Sequence, residues 1–202
     1  MQILIGTTNP SKIDYFRELL DGTGAELVTP RELGVTGEPQ ETGRTPEENA
    51  LLKATYYGQY ADYVICADSG LSFDALPLDD SRQPGLHVRM VNGVRLNDEQ
   101  MIEHYAALSH SLGGKALAYY LDGFAIKTPK GIWGFQSTRE EAHVWAFYML
   151  DAPCPARRAG WPLDSLSIDL EGRSFLDPSR RTEVRRGYID RLKAFLKEKL
   201  ES

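Results

Sequence analysis

The chain has 202 residues, 42% of them hydrophobic and 26% charged, with a formal net charge of −6. This is ordinary composition for a globular protein large enough to bury a substantial core, and no segment approaches the roughly 18 consecutive apolar residues of a membrane span. The acidic balance argues against a nucleic-acid-binding protein, and Cys66 and Cys154 are too few for a disulfide scaffold.

Met1-Gln2 leads straight into Ile3-Leu4-Ile5, read as a short buried strand. With no charged region ahead of it, no signal peptide is expected, and the expected location is the cytoplasm. Asn9-Pro10 then supplies an N-cap and a proline at the first helical position, and Ile13, Phe16 and Leu20 give the apolar stripe of a helix. Glu26–Val28 reads as a second strand. Between Thr29 and Arg44 the chain is polar and holds Pro30, Gly34, Gly37, Pro39 and Gly43, the composition of a surface loop.

Thr45-Pro46-Glu47-Glu48 has the spacing of a capping box with proline at N1, and its helix is expected to reach about Tyr60. Tyr63–Ala67 reads as an apolar strand that delivers Asp68 into a Ser69-Gly70 turn, with Gly70–Leu76 continuing beyond it. Leu78–Gly85 is a loop rich in Asp and Pro. Asn97 and Gln100 start a helix with the stripe Met101, Tyr105, Leu108 and Leu112. Ala116–Lys127 and Ile132–Phe147 are expected as two long strands joined by a Thr128-Pro129-Lys130-Gly131 hairpin, and Leu166–Leu170 as another strand. A last helix, roughly Arg180 to Leu200, carries Ile189, Leu192, Leu196 and Leu200. Helices interleaved with strands, plus a long hairpin, imply a single α/β domain over residues 1–202 with a mixed sheet.

Three segments carry chemistry. In Gly6-Thr7-Thr8-Asn9-Pro10-Ser11-Lys12 a strand ends in small polar residues and opens a helix, whose unpaired N–H groups suit an anion. Lys12 in the first helical turn opposes the macrodipole by a few tenths of a kcal/mol, a cost that a bound phosphate reverses. It is not a Walker A loop, since GxxxxGK is absent. Next, Glu41 precedes the capped helix, on which Asn49 and Lys53 share a face. Third, Asp68 stands at the expected end of a strand, where a carboxylate can hold a metal or orient water. Mg²⁺ takes one or two carboxylates together with phosphate oxygens, so Glu41 and Asp68 suffice. Each feature also has a plainer reading, as a surface lysine, a solvated helix face or a turn-forming aspartate.

Taken together, these segments resemble the inosine triphosphate pyrophosphatases, enzymes that hydrolyse non-standard purine nucleoside triphosphates to the monophosphate and pyrophosphate. The resemblance rests on T-x-N-x-x-K (Thr7, Asn9, Lys12), E-T-G-x-T-x-x-E-N-A-x-x-K-A (Glu41 to Ala54), D-S-G-L (Asp68–Leu71) and Pro84-Gly85 with Arg89. It implies a two-lobed α/β fold with a central mixed sheet flanked by helices, a homodimer and a Mg²⁺-dependent reaction. By position it implies that Lys12 and Lys53 hold the triphosphate, Glu41 and Asp68 the metal, and Asp68 the attacking water. Thr7, Asn9, Asn49, Ser69, Gly70 and Arg89 fall where substrate binds.

The chain departs from the family at three places. Ala67 stands where a second acid usually precedes the aspartate. The family's G-[FW]-G-[YFW]-D-P is reduced to Gly160-Trp161-Pro162-Leu163-Asp164, which keeps Trp161 for stacking and Asp164 near the base. Val184-Arg185-Arg186 replaces Ser-His-Arg, with Arg180 upstream, and arginine offers donors only. Residues 151–202 carry 11 basic and 9 acidic side chains, against 12 and 20 before them, so the arginine excess can face a small anion or simply cover a helix. Two alternatives therefore stand beside the main reading: the same reaction on another nucleotide, or a nucleotide-binding protein that has lost catalysis. The four histidines show no metal-binding spacing.

Overall fold

The apolar run after Met1 forms β1 (Gln2–Ile5), fully buried from Ile3 onward, and the fold is laid down on it. Then follow α1 (Pro10–Leu19), β2 (Glu26–Val28), α2 (Pro46–Tyr57), β3 (Val64–Phe73), β4 (Met90–Val91), β5 (Val94–Arg95) and α3 (Asp98–Ser111). The remainder is β6 (Lys115–Thr128), β7 (Gly131–Gln136), α4 (Arg139–Val144), β8 (Phe147–Leu150), β9 (Ser167–Ile168) and α5 (Arg186–Glu201). This computed structural model describes all residues but Leu78, 180–185 and Ser202; the side chains of Ser11 and residues 186–188 are also left undescribed. The expected arginines Arg180 and Arg185, and the side chain of Arg186, lie outside the described residues. The class is the expected one, α/β with a mixed sheet flanked by helices.

The chain divides into two units, and β3 and β6 run from one into the other. The first unit holds Met1–Ser69, Asp122–Thr138 and α5. Its strands lie in the order β2-β1-β3-β6-β7, with β1 parallel to β2 and β3, and β6 antiparallel to β7. The chain thus steps from β1 outward to β2 and back across to β3. Right-handed crossovers in opposite directions place their helices on opposite faces. Side chains confirm this: Phe124 of β6 meets Phe16 of α1 edge to face at 6.2 Å, while its neighbour Gly123 lies against the start of α2. A Cβ at Gly123 would overlap the Pro46–Glu47 backbone, and one at Gly134 would overlap the Glu47 side chain. Those two glycines let α2 settle directly onto β6 and β7. Under it, Leu4, Ala50, Ala54, Tyr57, Val64, Cys66 and Ala125 form one core.

The second unit contains Gly70–Leu121 and the described chain from Arg139 to Ser179. Its core gathers Leu71, Phe73, Met101, Tyr105, Phe147, Met149 and Leu166. The α3 stripe holds as expected, and Asn97 and Gln100 form a complete capping box, with both bonds at 2.9 Å.

Four expectations are corrected. Ile132–Phe147 is not one strand: β7 ends at Gln136, α4 intervenes, and β8 starts at Phe147. The cause is legible, since Ser137-Thr138 ahead of Glu140-Glu141 has the composition of a helix start with acids in the first turn, and His143 closes the last turn. Leu166–Leu170 shrinks to Ser167–Ile168, because Asp169 Oδ1 accepts from the Glu171 and Arg173 N–H groups and bends the chain. Helix α2 stops at Tyr57, capped by Gly58.

The fourth correction bears on function. Asp68-Ser69-Gly70 is no turn but the middle of one ten-residue strand. Turn formation by Asp and Ser depends on their side chains bonding local backbone. Here Asp68 bonds Asn49 and Ser69 bonds Asp122, so both are held by neighbouring elements instead. The β4–β5 hairpin escaped the sequence reading, although Asn92-Gly93 between them is a strong hairpin signal and Asn92 takes a φ of 50°.

Candidate active site

Strand order β2-β1-β3 makes the β1/β3 boundary a topological switch point, and in open α/β sheets ligands bind outside the carboxyl ends of strands at such a point. β1 ends at Ile5, whereas β3 continues to Phe73. The Gly6 N–H still closes on Ile65 O at 2.8 Å. The next carbonyl on that edge, Ala67 O, receives two ammonium groups instead: Lys12 Nζ at 3.3 Å and Lys53 Nζ at 3.4 Å. One lysine comes from α1 and the other from α2, so they converge on a single strand edge from opposite faces of the sheet.

On the α2 face the groups interlock. Asn49 Nδ2 donates to Asp68 Oδ2 at 2.8 Å, and Lys53 Nζ donates to Asp68 Oδ1 at 3.1 Å. Asn49, Lys53 and Asp68 are 2%, 8% and 7% exposed, burial that charged groups tolerate only when paired and hydrogen-bonded. Asn49 Oδ1 also accepts the Gly43 N–H at 2.8 Å, tying the loop down beside the helix. Glu41, two residues earlier, reaches Lys53 Nζ at 2.8 Å while remaining half exposed. Helix α2 is fixed by Thr45, whose hydroxyl accepts from Glu48 N–H at 3.1 Å, whereas the Glu48 carboxylate reaches one residue further back than in a capping box, to Arg44 N–H.

Lys12 Nζ completes the cluster at 3.7 Å from Asp68 Oδ1. Burial, and then the neighbouring Lys53 charge, pull the Lys12 pKa below the ordinary lysine value despite Asp68, Asp122 and Glu41 pulling upward. Burial also acts to lower that of Lys53, but Asp68 and Glu41 together outweigh it and raise the value. So Lys12 is less well compensated for its burial than Lys53 is. Cys66, buried behind the lysines, has its thiol pushed up to about 12 by burial and stays neutral.

Thr7 and Asn9 shape the loop ahead of Lys12. The Thr7 hydroxyl accepts the Asn9 N–H at 3.2 Å, and Asn9 O accepts the first helical N–H, from Ile13, at 3.1 Å. Ser69 Oγ donates to Asp122 Oδ1 at 2.7 Å. Neighbouring strand residues point to opposite faces, so Asp68 faces α2 while Ala67 and Ser69 face α1. An acid at position 67 would therefore stand on the α1 face, the side from which Lys12 reaches Asp68.

The remaining expected residues belong to the second unit. Gly70 lies beside Gly85, whose carbonyl accepts the Leu71 N–H at 2.9 Å. Arg89 is paired with Asp98 at 2.7 Å and also donates to Leu96 O. Trp161 is 37% exposed, not a core residue, with the Arg158 guanidinium 5.7 Å from its ring centroid and Asp164 paired to the same arginine at 3.4 Å. Leu163, where the family has an aromatic, is buried in the core. Sequence reasoning missed two contributors: the Ala67 carbonyl, invisible because it is backbone, and Asp122, which carries no motif.

A model of the Ham1 family matches residues 3–132. The chain is 30% identical over 155 residues to a Bacillus subtilis protein named dITP/XTP pyrophosphatase, spanning 66% of this chain and 76% of that one. It is 36% identical over 101 residues to a Leptospira interrogans protein of the same name, a stretch that spans 48% of either chain. Among solved structures, the Staphylococcus aureus Ham1 protein superposes with a TM-score of 0.70 at 24% identity, over 98% of this chain and 100% of the other. A Coxiella burnetii HAM1 protein gives 0.70 at 21% identity over 98% and 99%. At these identities the two structures speak for the fold.

Proposed function

The chain belongs to the Ham1 family, and we propose that it is a nucleoside triphosphate pyrophosphatase acting on non-standard purine nucleotides such as dITP and XTP. The observation that carries this reading is the convergence of Lys12 and Lys53 on the β3 edge beside Asp68, with Glu41 closing on the same ammonium. The names of its Bacillus and Leptospira relatives supply the base.

In this reading the substrate's phosphates lie over the α1 N-terminus beside Lys12, and reach Lys53. Asp68 orients a water, held in place through Asn49 on one oxygen and the lysines on the other. The water oxygen bonds to phosphorus as its proton passes to Asp68, the P–O bond between the α- and β-phosphoryl groups breaks, and the monophosphate and pyrophosphate leave. Lys12 and Lys53 offset the charge that develops on pyrophosphate.

Among the described residues no group of three or more His, Cys, Asp or Glu could hold a metal unaided. Mg²⁺ does not need one: it takes one or two carboxylates and completes its shell with water and phosphate oxygens. Glu41 and Asp68 are hard oxygen donors that already turn toward one positive centre, the Lys53 ammonium, so the residues present fit the ion. Glu41 and Asp68 would hold Mg²⁺, whose chemistry there is to neutralise phosphate charge. Among the described residues no helix is long and apolar enough to cross a membrane; a cytoplasmic homodimer is part of the proposal.

The test is pyrophosphate release from a panel of ordinary and deaminated nucleoside triphosphates with Mg²⁺. Turnover is expected, highest on dITP or XTP, and Asp68→Asn lowers kcat by about 10²–10⁴-fold, the range for a positioned acid–base group. Binding of nucleotide without turnover of any would overturn the enzyme reading. Turnover untouched by Asp68→Asn would show that the water is handled elsewhere.

A further inference from the structure

The two carboxylates that fit a metal are already answered by ammonium groups of the chain itself. Glu41 Oε1 lies 2.8 Å from Lys53 Nζ, and Asp68 Oδ1 lies 3.1 Å from the same nitrogen and 3.7 Å from Lys12 Nζ. An ammonium has three protons to donate. Those of Lys53 are matched by three acceptors: Glu41, Asp68 and the Ala67 carbonyl. Two lysines and two carboxylates leave the cluster with no net charge. The two acids are not held alike. Asp68 is 7% exposed and its second oxygen accepts from Asn49, whereas Glu41 is half exposed in the loop ahead of α2.

Each carboxylate has lone pairs to spare, so the obstacle to a metal is charge. A divalent cation on these oxygens shares them with an ammonium, and like charges so close together in a part-buried site repel strongly. Mg²⁺ would also have to give up water there, which it does reluctantly. A polyphosphate has the opposite sign. One of its oxygens can replace Glu41 on the Lys53 ammonium, and its charge then favours a divalent cation alongside.

We propose that Lys53 masks Glu41 against the metal, and releases it only when a polyphosphate oxygen takes its place on the ammonium. Polyphosphate and Mg²⁺ then bind this site with positive coupling, each strengthening the other by the same factor. This rests on the pyrophosphatase reading, which supplies the two ligands. In the exchange Glu41 is the arm that moves, and Asp68 stays where Asn49 fixes it.

Because Mg²⁺ and polyphosphate also associate in solution, the experiment measures each of them alone. Calorimetry gives the Kd of Mg²⁺ without polyphosphate, and that of inorganic tripolyphosphate with metal removed by a chelator, for wild type, Lys53→Met and Glu41→Gln. Lys53→Met is expected to bind Mg²⁺ about tenfold more tightly than wild type, since losing a cation unmasks Glu41 and Asp68. Glu41→Gln is expected to bind metal-free tripolyphosphate about tenfold more tightly, since phosphate no longer competes with a carboxylate for Lys53. This second variant, at a half-exposed position, carries the test if Lys53→Met does not fold. The proposal is overturned if wild type binds Mg²⁺ as tightly as folded Lys53→Met does. It is equally overturned if Glu41→Gln leaves tripolyphosphate affinity unchanged or weakens it. Turnover of the nucleotide panel is scored separately. A wild type that turns over no nucleotide ends the pyrophosphatase reading, while the two affinities still decide the exchange; full turnover with neither affinity moved ends the exchange alone.

Discussion

Lys53 in the first unit and Arg89 in the second are both cations expected to meet the substrate, yet the two units treat them differently. The Lys53 side chain is 11% exposed, and its ammonium touches Glu41, Asp68 and the Ala67 carbonyl. Arg89 retains 30% of its side-chain surface and pairs with one carboxylate, Asp98, itself half exposed. Pairs of the second kind are worth about 0–1 kcal/mol and form on any charged surface. A buried, shared cation is different, since the fold has desolvated it and must supply every partner. The contrast teaches where preorganisation lies: in the first unit the charges are built into the core at the end of β1, and in the second they sit on its surface.

The hardest blow to that contrast comes from Lys53→Met. Removing one member of a buried ion cluster leaves Asp68 without its nearest cation, and the expected cost is about 3–5 kcal/mol in urea unfolding at pH 7. A loss under about 1 kcal/mol would put Lys53 in the same class as a surface pair. The pH dependence carries a sign. Because the Lys53 pKa is raised in the folded state, its stabilisation is fully present below the ordinary lysine value of 10.5 and disappears as pH climbs through the folded value. The gap between wild type and variant therefore narrows on that alkaline side. In the same variant Lys12 titrates at a higher pH, since after burial Lys53 is the strongest influence depressing it.

A middle-sized effect belongs to Asn49, the one neutral member of the cluster. Its amide joins Asp68 to the Gly43 N–H, so Asn49→Leu strands a buried carboxylate oxygen and a backbone donor together. About 1–3 kcal/mol per stranded group is the usual cost, and a loss in that range by thermal unfolding is expected. Glu41, two residues before Gly43 in the same loop, loses its register with it, so activity should fall further than stability alone explains.

How much of this could be read from the residues differs between the units for a physical reason. Helix α2 announces itself through Thr45-Pro46 and its acids, and once it is placed, the spacing of Asn49 and Lys53 sets both on the Asp68 side. Local rules govern all of that. Asp122 could not be found this way, because it meets Ser69 only through the pairing of β3 with β6, more than fifty residues apart in the chain. The Asp68-Ser69-Gly70 segment misled for the same reason: its composition favours a turn, and only partners brought by α2 and β6 hold it extended. Helix α4 carries its start signal in Glu140 and Glu141, but the apolar residues flanking it suggest one continuous strand.

The smallest effect is the most discriminating. Arg89→Ala removes a pair with Asp98 and a long bond to Leu96 O at 3.4 Å, near the limit for a hydrogen bond. Stability should change by about 0–1 kcal/mol, well below the Asn49→Leu loss. Activity then separates two roles that the resting geometry keeps together. If Arg89 serves the substrate, it must leave Asp98 to do so, and KM rises about tenfold in Arg89→Ala with kcat nearly unchanged, because uniform binding has been removed. Asp98→Ala, which frees the guanidinium, should then lower KM or leave it as it is. If both variants instead leave KM and kcat at the wild-type values, Arg89 is a surface residue of the second unit, and the triphosphate is held by the Lys12–Lys53 pair without it.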